Sequence, residues 1–204
     1  VQLAGCQNID GSFSVKPTIH SGCNLFMCCS LRSISLHDCS QITSSHLCWI
    51  AQSCRFLEEI DVSDCLGVGT KGITALCKGC PLLSLNVIGT RPLSSAVMDT
   101  IAAECPSMTS LDIAGHRNIS LDAFIALMQQ CRRLLHLNCS GLSEIADDAF
   151  VVEATIKQQM EVLKGDARFL SARRTTMESL HLADVPHLTK SGFAAISVLY
   201  DALK

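Results

Sequence analysis

The sequence predicts an α/β solenoid: a right-handed stack of strand–helix units with a curved parallel sheet inside and helices outside. Three observations predict it. A Leu-x-x-Leu-x-Leu pattern recurs at an interval close to 26 residues. Each occurrence is followed by apolar residues three to four apart, so the period changes from that of a strand to that of a helix. Most of the cysteines fall in fixed columns of the repeat. One such unit cannot bury its apolar faces alone, and stacking joins the strands into one sheet and the helices into one layer.

The 204 residues read as a single array, 1–204. A partial repeat over 1–30 comes first, in which Leu3, Cys6 and Ile9 match the second strand leucine, the cysteine and the aliphatic residue after it. Full repeats start at Leu31, Leu57, Leu82, Met108, Leu134 and Met177, at intervals of 26, 25, 26, 26 and 43. The inward strand positions of successive units include Ile34, Ile60, Leu85, Leu111, Leu137 and Leu180. Sixteen residues after each start, Leu47, Ile73, Met98, Phe124, Phe150 and Phe193 form a predicted helix core column. Thr43, Ser94, Ser120 and Thr189 suit helix N-caps. The 43-residue unit places an insertion at about 155–176. Residue 1 opens inside a strand and Lys204 stops where another repeat would begin, so the expectation is a piece of a longer product with apolar surface at its ends.

Charged residues are 17%, mean hydropathy is +0.32 and the net charge is -3. That balance argues against disorder and provides no clustered basic surface for nucleic acid or an anionic membrane. No segment approaches the roughly 18–20 uninterrupted apolar residues of a membrane helix, and the N-terminus lacks a signal core.

Thirteen cysteines raise the question of disulfides or zinc, and spacing answers it. Cys6, Cys39 and Cys65 share one column, and Cys54, Cys80, Cys105 and Cys131 share another at the helix ends. Thr90 and His116 replace cysteine in the first column, so nothing there demands pairing; reduced thiols acting as small buried hydrophobes are expected. Cys77-Lys-Gly-Cys80 has a redox or half-zinc spacing, but its columns hold Ala51 and Cys54 one unit earlier, which points to packing. His20, Cys23, Cys28 and Cys29 are the densest group of soft ligands and lack a second Cys-x-x-Cys half. No metal, no cofactor and no catalytic residue is expected: there is no phosphate-binding glycine loop, Gly-x-Ser-x-Gly elbow or His-Glu-x-x-His.

Leu-x-x-Leu-x-Leu-x-x-Cys-x-x-Ile-Thr, followed by a helix ending in Cys, as carried by residues 31–56, resembles the cysteine-containing leucine-rich-repeat family. The resemblance covers residues 31–154 and 177–204, and departs from the pattern where the cysteine column becomes Thr90, His116, Leu142 and Val185. It implies a protein-recognition scaffold. In this family the repeats usually follow an F-box, absent from this chain, in substrate adapters of cullin–RING ubiquitin ligases. It implies as partners a ubiquitination substrate, and cullin-complex subunits through such an F-box. The alternative it implies is an architectural subunit of a ciliary or cytoskeletal complex; an enzyme or small-molecule sensor ranks last. The expected location is cytoplasmic, with the nucleus as a second compartment.

Strand geometry selects the binding candidates. Between the two inward aliphatics of each strand one side chain faces the concave surface: Ser35, Asp61, Asn86, Asp112, Asn138 and His181. Glu59 and His136 flank them. The surface is polar and mildly acidic, which suits a partner bearing Lys or Arg; polar residues tolerated by solvent are the plainer explanation. A second expected contact is the insertion, whose Lys164, Arg168, Arg173 and Arg174 suit an acidic partner, against the simpler reading of a solvated connection.

Overall fold

The structure, a computed structural model, describes residues 30–151, Ala154 and residues 177–199. The partial repeat up to residue 29, the His20–Cys29 group, and the insertion with Lys164, Arg168, Arg173 and Arg174 lie outside the described residues.

Each repeat start opens a three-residue strand, because alternating apolar residues can bury only one side of an extended chain. The strands are β1 (Ser33–Ser35), β2 (Glu59–Asp61), β3 (Ser84–Asn86), β4 (Ser110–Asp112), β5 (His136–Asn138) and β6 (Ser179–His181). They form one open parallel sheet in sequence order. The register aligns Ile34 with Ile60, Leu85, Leu111, Leu137 and Leu180. β5 pairs directly with β6 although 43 residues separate the starts of their units.

Strands alternate with ten-residue helices: α1 (Ser44–Ser53), α2 (Thr70–Gly79), α3 (Ser95–Glu104), α4 (Leu121–Gln130) and α5 (Lys190–Leu199). Residues 148–151 and 154 are also helical. α1 packs on α2, α2 on α3 and α3 on α4. The helices face the sheet through Leu47, Ile73, Met98, Phe124 and Phe150, which are buried with the strand aliphatics in one continuous core. The arrangement is α/β and solenoid-like. No described helix is long and apolar enough to cross a membrane.

Two features of sequence were expected to behave otherwise. Phe193 belongs to the core column but is 56% exposed. It sits in the last unit of the described sheet, where no further described repeat packs over it. The N-caps also divide. Ser120 Oγ accepts from Ala123 N–H at 3.4 Å and Thr189 Oγ1 from Ser191 N–H at 3.2 Å. Ser94 makes no side-chain cap bond. Thr43 sits at the N-cap in a capping box, in which His46 Nδ1 accepts from the Thr43 N–H at 3.1 Å.

Helix starts are also tied to the preceding unit. The residue after the N-cap position of one unit accepts from the N-cap N–H of the next: Ser44 Oγ from Gly69 at 3.0 Å, Ser95 Oγ from Ser120 at 2.9 Å, and Asp147 Oδ1 from Thr189 at 2.7 Å. The Thr189 hydroxyl also donates to Asp147. These bonds, with the Gly192 N–H, hold the Asp147 carboxyl below the usual carboxylate range.

After each strand the chain reverses through a left-handed residue seven places beyond the repeat start: Asp38, Asp64, Gly89, Gly115, Gly141 and Asp184, with φ between 53° and 82°. Glycine adopts that region freely and Asp more readily than most residues.

Candidate functional site

The sheet face opposite the core carries the expected row in register. Ser35, Asp61, Asn86, Asp112, Asn138 and His181 lie side by side on neighbouring strands, and Glu59 and His136 occupy the row two residues earlier. Ser35, Asp61, Asn86, Asp112 and Asn138 are half-buried, whereas Glu59, His136 and His181 are exposed.

Four of these side chains also have a local role that the alternating pattern did not reveal. Asp61 Oδ1 accepts from the Ser63 N–H at 3.0 Å, Asn86 Oδ1 from Ile88 at 3.2 Å, Asp112 Oδ1 from Ala114 at 3.1 Å and Asn138 Oδ1 from Ser140 at 3.2 Å. Each is an Asx-type bond to the N–H two residues on, steering the strand into its left-handed turn. It also fixes the side chain, leaving the second oxygen of each Asp and the amide nitrogen of each Asn as the groups turned away from the turn. Asn138 Nδ2 donates to Asp112 Oδ2 at 3.0 Å, linking two strands. At the end of the row His181 Nε2 contacts Ser179 Oγ at 3.0 Å. Acceptors and donors are thus held in fixed places before any partner arrives.

In the next column, two residues further along the strands, Ser63 and Ala114 are buried at 3% and 7%. Ser63 Oγ donates to Asp61 Oδ1 at 2.6 Å and lies 2.8 Å from His37 Nδ1, which is 3.7 Å from Asp64 Oδ2. Serine, histidine and aspartate meet here with the polarity opposite to a nucleophilic triad. The hydroxyl proton goes to Asp61, so His37 donates to the serine rather than accepting from it. A signal was present in sequence: Asp61 and Ser63 stand two apart just before a left-handed Asp64.

The cysteine columns are structural and less bland than expected. All nine described cysteines are free, and all but the half-exposed Cys48 are buried. At the helix ends their thiols reach back one unit, Cys80 Sγ to the Cys54 carbonyl and Cys131 Sγ to that of Cys105, each at 3.5 Å. In the other column Cys65 Sγ donates to the Leu36 carbonyl at 3.0 Å. Burial pushes the Cys65 and Cys80 thiols up to about 11 and the Cys131 thiol up to about 12. Cys77 of the C-x-x-C pair is also raised, by its thiol hydrogen bond with Cys105 and by burial. These thiols stay protonated at neutral pH and are poor nucleophiles. His116, which stands in the cysteine column, is buried and makes the equivalent bond: Nε2 donates to the Val87 carbonyl at 2.9 Å, and Nδ1 accepts from the Leu93 N–H at 3.3 Å. Burial lowers its pKa.

No family model matches the chain, and no curated protein matches it.

Proposed function

We propose that this chain is a right-handed, curved solenoid of the cysteine-containing leucine-rich-repeat class that binds another protein, without catalysis, through its exposed sheet face. The observation that carries the reading is the pre-oriented row Asp61, Asn86, Asp112 and Asn138. These side chains are fixed by bonds to their own strand on a sheet whose other side is closed by core. A surface that pays no ordering cost binds better than the same groups on a mobile loop. With Glu59 added, its charge suits Lys or Arg side chains of an extended partner segment.

Replacing Asp61 and Asp112 by Asn, which removes the charge and keeps an Oδ1 for each turn bond, tests this. Partner capture from a lysate is expected to fall at least about tenfold, while circular dichroism is unchanged. Undiminished capture removes the sheet face as the site.

The adapter role, as the substrate-recognition region of a cullin–RING ligase, rests on the family resemblance and extends the proposal. It predicts that the full gene product co-purifies with cullin-complex subunits from the cytoplasm or nucleus. Their absence leaves a binding scaffold and removes the ligase.

A further inference from the structure

A second surface, at the strand-exit turns between the last units, carries an inference independent of the sheet-face reading. An open groove of about 550 Å³ lies there, with Arg117 and Asp184 among the residues that line it. Gly141 forms part of its floor. Gly141 adds no side chain to the space. Leu182, Val185 and Pro186 supply an apolar wall. Leu182 is half-exposed, whereas its column mates Val62, Val87, Ile113 and Cys139 are all 0% exposed.

The charges are the informative part. Arg117 and Asp184 line one groove, yet neither side chain has an ion-pair or hydrogen-bond partner among the described residues. The Arg117 backbone is anchored, its N–H donating to the Gly115 carbonyl at 3.1 Å and its carbonyl accepting from Ser143 Oγ at 3.3 Å. Opposite charges that line one partly apolar trough without pairing with each other fit a ligand that presents an anion and a donor on one apolar body.

We propose that this groove binds the C-terminal residue of a partner polypeptide. The Arg117 guanidinium takes the terminal carboxylate in a two-bond fork, and the Asp184 carboxylate accepts the N–H of the same residue. Leu182, Val185 and Pro186 hold an aliphatic side chain. An internal segment of a chain offers the N–H and the side chain but no carboxylate at that spacing, so the groove selects an end. The trough is open, which lets the rest of the partner chain lead away from it.

The test is fluorescence anisotropy of the 204-residue chain with fluorescein-labelled Gly-Gly-Gly-Gly-Leu, as the free acid and as the C-terminal amide. The peptide has no Lys or Arg, so the result is separate from that for the sheet face. The free acid is expected to bind at least about tenfold more tightly than the amide, because the amide loses the charge-assisted pair. Arg117→Gln is expected to bring the acid down to the amide's level. Asp184→Asn keeps a residue that tolerates the left-handed turn and is expected to weaken acid and amide alike. Equal affinity for acid and amide overturns the proposal, as does an absence of saturable binding. Full displacement of the acid by equimolar free leucine overturns it too, assigning the groove to an amino acid.

Discussion

A nearby buried carbonyl gives a side-chain donor a use at the position eight places after a repeat start, where Cys65, Thr90 and His116 stand, although Leu142 and Val185 fill the same column without one. The strand-end carbonyl of the preceding unit is out of reach of water and gains from a donor. Cys65 supplies one to Leu36 and His116 to Val87, while Thr90 donates within its own unit to Val87 at 2.8 Å. Cysteine, threonine and histidine look unrelated as a column of letters; as hydrogen-bond donors of compact size they are alike. His116→Leu is expected to destabilise the fold by about 1–3 kcal/mol at pH 8, because it strands the Leu93 N–H and removes a donor from Val87. The folded pKa of His116 lies below its ordinary value of 6.5. Its contribution is therefore complete above pH 6.5 and is lost as the pH falls from there through the lowered folded value. Urea unfolding at pH 8 and pH 5 checks this: the gap between wild type and variant should narrow at pH 5.

At the scale of elements, the helix layer is set by close approach as much as by apolar periodicity. A Cβ on Gly79 would lie 2.7 Å from the Ala51 carbonyl oxygen, and one on Gly72 would lie 2.8 Å from the Ser44 Cα. In an isolated helix Gly→Ala gains about 1 kcal/mol. Here the backbone of α1 must retreat from α2, and overpacking of this kind costs about 1–3 kcal/mol. Gly79→Ala is thus expected to lower the melting temperature rather than raise it, as differential scanning calorimetry would show. Sequence alone located every described strand, because a period of two beside an apolar column leaves one register. It also placed the helix starts, with Thr43, Ser94 and Ser120 at the N-cap, but it did not show that the partners of Ser44, Ser95 and Asp147 belong to the next unit. A periodic pattern says which side a residue faces, not which chain segment it bonds. For the same reason the exposed row was legible as a row, while its anchoring to the turns was not. The groove between Arg117 and Asp184 was out of reach, since those residues are 67 positions apart and meet only through stacking.

At the scale of the molecule, each unit packs mainly on its neighbours, so the cost of a cavity depends on position in the stack. Leu111 is 1% exposed on β4, with strands on both sides. Its counterpart Leu180 on β6 is half-exposed. Leu111→Ala is expected to cost about 2–5 kcal/mol, and Leu180→Ala clearly less. Guanidinium unfolding of both variants measures the difference; equal losses would mean the array does not respond as a stack.

The direct pairing of β5 with β6 has a consequence for the array as a whole. Their backbones meet as closely as any other pair, although the connecting unit is 43 residues rather than 26. Closing a longer connection is cheap, about 0.6 kcal/mol for each doubling of its length. Strand pairing rather than unit length therefore sets which segments lie side by side, so the array can take in units of different lengths without breaking its sheet.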